Sequence, residues 1–104
     1  MTPNYDLLII GGGPAGIMAA IAAAQSDPKL KVAIIEKNNS LGKKLLITGN
    51  GRCNLTNTLT SREMVEKFGV KGKFLYGPLS RFSNQDLIEF FHSRGVETTV
   101  EEGG

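Results

Sequence analysis

At 104 residues the chain has room for one small domain and buries only a limited share of its surface, which argues against a complete two-substrate enzyme. Hydrophobic residues are 40% of it and charged residues 21%, ordinary globular proportions that fit neither wholesale disorder nor a fibrous repeat. Lysine and arginine number 12 against 10 acids, and the net charge of +2 is too weak and scattered for a nucleic-acid or membrane footprint.

The longest apolar stretch, from about Gly16 to Ala24, is short and alanine-rich, and no basic n-region precedes it, so the expected location is the cytoplasm. Cys53 is the single cysteine. It leaves no internal disulfide, no paired-cysteine redox motif and no zinc cluster to expect.

Leu7 to Ile10 is an unbroken aliphatic run between polar residues and glycines, the pattern of a central parallel strand covered on both faces. Gly11, Gly12 and Gly13 then require a tight turn. Pro14 suits the first helical position, where its missing N–H costs nothing. From Ala15 to Gln25 small residues raise helix propensity and allow close packing on a sheet, with Ile17, Met18 and Ile21 adding bulk. Asp27 and Pro28 end that helix, and Val32 to Ile35 forms a second strand leading into Glu36.

Asn38 to Asn57 interleaves Gly42, Gly49 and Gly51 with Lys43, Lys44 and Arg52, without sustained periodicity, and reads as an ordered loop holding a short helical piece. Ser61 is placed to cap a helix carrying Met64, Val65 and Phe68. Ser83 is placed to cap another with Leu87, Ile88, Phe90 and Phe91 on its buried stripe. Gly95 is the expected stop of that helix, and the β-branched run from Val96 to Glu101 predicts a strand.

Gly11, Gly13 and Gly16 form the G-x-G-x-x-G pattern, whose glycines permit the turn, the approach of backbone to a pyrophosphate, and close packing of the helix on the strand. The helix N-terminus then faces the phosphates. Glu36 stands about twenty residues on, where the dinucleotide fingerprint needs an acid for the ribose hydroxyls. A glycine-rich turn alone is often only a tight connection, but strand, helix, second strand and terminal acid together meet the full context of nucleotide binding. On this logic FAD and NAD stay equivalent.

In the later loop, Gly49 and Gly51 let successive N–H groups converge on an anion or a flavin edge, with Lys43, Lys44 or Arg52 offsetting charge. Arg52 is the stronger candidate, and at least one of the lysines is expected to be merely solvated. Cys53, without a resolving partner, is expected to be a buried and inert thiol. His92 falls off the apolar stripe of its helix and reads as a surface histidine.

Tyr5-Asp6 through Gly16, Glu36-Lys37 and above all Lys43 to Asn57 resemble the BaiN/YhiN-like bacterial flavoproteins, NAD(P)/FAD-dependent oxidoreductases also described as aminoacetone-oxidase-like. The resemblance covers essentially the whole chain, and Gly51-Arg52-Cys53-Asn54 carries most of its specificity. It implies a Rossmann-like α/β fold, a βαβ unit with additional helices, as an incomplete two-dinucleotide-type flavoprotein fold. It also implies FAD held by Gly11, Gly12, Gly13, Pro14, Ala15 and Gly16, by Glu36 and Lys37, by Lys44, and by Gly51, Arg52, Cys53 and Asn54. Asn50 departs from the pattern, since relatives commonly carry glycine there.

Family members are several times longer, so residues 1–104 are expected to be the N-terminal part of an FAD-binding domain, lacking its remaining strands and a substrate domain. The implied reaction is hydride transfer through the flavin N5, with NAD(P)H as donor and an unknown small-molecule substrate. No catalytic side chain is assignable, and the chain alone is expected to be inactive. The alternative is a self-contained, non-catalytic nucleotide-binding module. In a third reading the chain cannot fold alone and self-associates through uncovered sheet edges and a Phe-rich surface.

Overall fold

The computed structural model describes residues 3–104, which divide into two compact units, the first running to Cys53 and the second Asn54–Gly104. In the first unit, β1 (Leu7–Ile10) and β2 (Val32–Ile35) pair in parallel, with Leu7 opposite Val32 and Ile10 opposite Ile35. Parallel neighbours need a crossover, and α1 (Pro14–Ser26) provides it, packing on both strands. Both strands begin and end where the aliphatic runs do. Asp6 fixes their common start: its carboxylate accepts the Lys31 N–H at 2.8 Å, and its own N–H donates to the Lys31 carbonyl at 2.9 Å.

α1 starts at Pro14 and ends at Asp27, whose extended backbone (φ −150°, ψ 107°) is the conformation a following proline enforces. Its weak amphipathicity follows from composition, since alanines face both the sheet and solvent. β1 differs from expectation. Among the described residues it pairs with β2 alone, and Ile10 is 87% exposed, because one strand and one helix cover only part of its surface. Between β2 and the end of this unit the expected helical piece is α2 (Lys43–Ile47), entered through Gly42 at φ +67°.

The second unit is helical: α3 (Ser61–Lys67), a 3₁₀ segment (Gly69–Leu75), α4 (Tyr76–Arg81) and α5 (Asn84–His92). Thr60, rather than the expected Ser61, caps α3. Its hydroxyl accepts the Glu63 N–H at 3.2 Å while the Glu63 carboxylate takes the Thr60 N–H at 2.7 Å. Glutamate three residues after the cap selects threonine over serine here, since only that spacing closes a reciprocal box. Ser83 caps α5 as expected and forms the same box with Asp86.

The centre of this unit is small. Val65 is 4% exposed, and Gly72 packs so tightly on it that a Cβ there would collide with the Val65 carbonyl oxygen. Asn84 is buried at 5% exposure, and its side-chain amide donates to the carbonyls of Asn57 (2.7 Å) and Leu59 (2.8 Å), tying the entry of the unit to α5. Leu87, Ile88, Phe90 and Phe91 are partly buried, and Phe90 and Phe91 meet edge to face. Gly95 adopts φ +80° just past α5.

The strand expected over Val96 to Glu101 does not form; these residues carry no regular structure. A strand exists only by pairing, and among the described residues the sheet holds β1 and β2 alone. Phe68, Val70 and Phe74 stand exposed. No helix among the described residues is long and apolar enough to cross a membrane.

Candidate functional site

β1 delivers the chain into the glycine turn, and three features shape that turn. Gly11 holds φ +99°, a left-handed backbone that side-chain-bearing residues seldom adopt, and its N–H donates to the Ile35 carbonyl at 2.8 Å, prolonging the ladder with β2. Gly16 sits on the first turn of α1 directly over the Gly11 carbonyl, where any Cβ would overlap that oxygen. Gly13 is the opposite case: its φ is an ordinary −81°, and a Cβ built on it meets nothing within 4 Å. The first and last glycines of the pattern are therefore explained by the chain's own packing. The middle one leaves open room that the protein itself does not fill.

That room lies at the start of α1, where Gly13 is the N-cap and offers no side-chain acceptor to the helix. The first N–H groups of a helix have no intrahelical partner and carry the positive end of its dipole. Open space in front of uncapped donors fits a phosphate, whose oxygens accept several backbone N–H bonds at once.

Glu36 follows β2 and reaches back to the turn. Its Oε1 accepts the Gly12 N–H at 3.2 Å, and its Oε2 accepts the Asn38 N–H at 3.1 Å and the Asn38 side-chain amide at 3.3 Å. The Asn38 backbone N–H, then the Gly12 N–H, hold the carboxyl below its ordinary value, with smaller help from the Asn38 amide and Lys37. Glu36 is thus a carboxylate at neutral pH, a pure acceptor suited to sugar hydroxyls and unsuited to an added 2′-phosphate. An open hollow of ≈ 300 Å³ lies here, lined by Ile10, Gly11, Ile35, Glu36 and Lys37, with apolar walls and one acid at its rim. A planar, partly apolar base next to a hydroxylated sugar fits that lining.

The structure therefore joins Gly11, Gly12, Gly13, Pro14, Ala15, Gly16, Glu36 and Lys37 in one locality. The later loop is organised differently. Lys44 lies on the exposed last turn of α2. Beyond α2, Gly49 (φ +78°), Asn50 (φ +48°) and Gly51 (φ +82°) are three successive left-handed residues, closed by the Arg52 N–H on the Gly49 carbonyl at 2.9 Å. Asparagine is among the side chains that tolerate this region best, so Asn50 can hold a left-handed backbone between the two glycines. Gly51, Arg52 and Cys53 are exposed on this turn, and Asn54 is exposed at the start of the second unit. The expectation of a buried Cys53 is corrected: its thiol is free and exposed, because the turn projects it from the surface.

Sequence reasoning missed three participants. The Gly42 N–H donates to the Gly12 carbonyl at 2.7 Å, so the loop after β2 braces the glycine turn directly. Leu41 packs against Gly12 so closely that a Cβ on that glycine would meet its methyl carbon. A glycine just ahead of a short helix was the available signal for the first. Asn38 is the third, and its position two residues past the fingerprint acid carried no signal by type alone. His92 is exposed as expected, its Nε2 paired with the Thr98 hydroxyl at 2.8 Å. Among the described residues, no group of three or more His, Cys, Asp and Glu side chains is placed to hold a metal ion.

Comparison with known proteins gives the family. The family model described as HI0933-like protein Rossmann domain matches residues 5–104. A 3-dehydro-bile acid delta(4,6)-reductase from Clostridium scindens is 45% identical over 95 residues, which cover 91% of this chain and 23% of that protein. A ribosomal RNA dihydrouridine synthase from Escherichia coli is 32% identical over 93 residues, 89% of this chain and 22% of the relative. A fumarate reductase flavoprotein subunit from Haemophilus influenzae is 50% identical over 105 residues, 99% of this chain and 16% of the relative. The chain thus spans at most about a quarter of the length of these relatives.

Proposed function

Because this chain belongs to the HI0933-like Rossmann-domain family, we propose that it is the FAD-binding N-terminal portion of a flavin-dependent oxidoreductase. The observation that carries this reading is the vacant space at Gly13 in front of the uncapped start of α1, flanked by a fixed carboxylate at the end of β2. Relatives named as a flavoprotein subunit and as reductases support the same class.

In this reading Gly11 and Gly16 set the turn, Gly12 is braced between Glu36 and Gly42, and Gly13, Ala15 and Gly16 present backbone to the pyrophosphate, with Pro14 fixing the helix entry. Glu36 is the acceptor at the adenosine ribose, and Lys37 borders the hollow at the adenine end. Lys44 and Arg52 offset phosphate charge, while Gly51, Cys53 and Asn54 contribute backbone and polar edges toward the flavin. The bound FAD supplies hydride transfer through its flavin N5, with NAD(P)H as donor. What these residues do is bind, orient and hold charge; the substrate side belongs to further FAD-domain strands and a substrate domain in additional polypeptide. The proposal includes a cytoplasmic location, where NAD(P)H is available, and self-association of the isolated chain through its exposed Ile10, Val70 and Phe74.

The test is FAD binding followed by flavin fluorescence and by the visible spectrum after desalting. We expect the chain to retain FAD and a variant with Gly13 replaced by a bulky residue to lose it. Equal affinity in the two would sink the reading. Stoichiometric FAD with no reduction by NADH or NADPH, on this chain and on any longer reading frame alike, would favour the non-catalytic module instead.

A further inference from the structure

Glu36 has one more constraint than a ribose-binding acid needs. A carboxylate offers about four acceptor directions, two on each oxygen. Three are taken: one on Oε1 by the Gly12 N–H, and both on Oε2 by the backbone and side-chain N–H groups of Asn38. Oε2 is thereby filled and Oε1 keeps one direction open. The Gly12 bond ties the acid to the glycine turn, and the two Asn38 bonds prevent rotation about its last side-chain bond.

We infer that Asn38 is a positioning residue of the nucleotide site, which pins Oε2 of Glu36 so that Oε1 presents its single unfilled acceptor direction to one ribose hydroxyl. This rests on the nucleotide-binding reading above and deepens it. The arrangement makes the site selective through scarcity: one hydroxyl is accepted by the acid, and a second must find its partner elsewhere. Lys37 is the charged group acting on Glu36 besides, and it favours the same ionised form. The Asn38 backbone N–H survives any substitution except proline, so its side-chain amide is the part that can be tested.

Two readouts on the full chain separate positioning from mere turn-making. The first is the titration midpoint of the Glu36 side-chain carboxyl carbon, followed by NMR without nucleotide. It should rise in Asn38→Ala, rise further in Asn38→Asp, where a like charge replaces the donor, and return toward wild type in Asn38→Ser. The second is FAD affinity by flavin fluorescence. It should fall about three- to tenfold in Asn38→Ala, the net worth of one ordinary hydrogen bond, since the exposed amide acts on the nucleotide only through Glu36, and its acid limb should move to higher pH with the Glu36 midpoint. An unmoved midpoint, or an unchanged affinity in a variant whose midpoint has moved, overturns the inference while leaving the FAD reading intact. Failure of the wild-type chain to bind FAD overturns both.

Discussion

The beginnings of the helices differ between the two units, and the contrast separates structure from function. α3 and α5 each open with a reciprocal capping box, Thr60 with Glu63 and Ser83 with Asp86, so their first N–H groups are satisfied by the chain itself. α1, at 13 residues longer than either, opens on Gly13 with no side-chain cap and no acid in its first turn. Yet both units contain the same packing device, a glycine pressed on a backbone carbonyl: Gly16 on Gly11, and Gly72 on Val65. α2 and α4 also lack a side-chain cap, but they are short, at 5 and 6 residues, so the contrast is between α1 and the two boxed helices. At α1 the open start also has free space in front of it.

The largest effects should erase the similarity. Gly16→Ala and Gly72→Ala each force a methyl group into a carbonyl oxygen, and each should destabilise its own unit by about 3 kcal/mol, read by urea unfolding. A mild effect at either position would mean that the helix shifts to make room. Gly13→Val should expose the difference. With open space around its Cβ and an ordinary φ, it should alter stability by no more than about 1 kcal/mol. FAD affinity should nevertheless fall about 10- to 100-fold, as expected on losing one or two phosphate hydrogen bonds.

Smaller effects sharpen the other side. Thr60→Ala or Ser83→Ala should cost about 1 kcal/mol in thermal unfolding and leave FAD affinity unchanged; a loss of affinity would mean the capped helices also serve the site.

The smallest expected effect is that of acid. The Glu63 and Asp86 carboxyls are held below their ordinary values of 4.5 and 3.8, in each case first by the backbone N–H of the cap residue and then by its hydroxyl. A carboxyl depressed in the folded state contributes fully above its unfolded pKa and loses that contribution as pH falls through the folded value. The unfolding temperature should therefore drop between about pH 5 and about pH 3, less steeply in Thr60→Ala and Ser83→Ala. Glu36 adds in the same direction, being lowered by Asn38 and Gly12.

How much of this was legible in the sequence follows from which interactions are local. Leu7–Ile10 and Val32–Ile35 were readable to the residue because aliphatic runs end abruptly in polar residues and glycine. Pro14 and Asp27-Pro28 bracketed α1 because proline acts on its immediate neighbours. The cap of α3 slipped by one residue, since both Thr60 and Ser61 are good caps and only the position of Glu63 decides.

Val96 to Glu101 failed for a different reason: β propensity describes fitness for a sheet, and pairing depends on partners far along the chain. In the site, Gly11, Gly13, Gly16 and Glu36 were legible because the fingerprint encodes their spacing. The bond from Gly42 to Gly12 was not, since it joins two backbone groups whose meeting depends on the path of the chain after β2. Cys53 was misjudged because exposure is set by the direction of a turn, here three left-handed residues in a row.

The Gly42 to Gly12 bond has a temporal meaning as well as a spatial one. The glycine turn is complete only after the chain has passed through α1 and β2 and come back as far as Gly42. The proposed cradle for phosphate, whose pattern lies in the first sixteen residues, is therefore finished by the forty-second. The Gly42 amide becomes a natural clock hand for the site: its hydrogen exchange reports when the cradle closes and how often it reopens, and an occupant that needs the closed form should slow that exchange in proportion to its concentration over its dissociation constant.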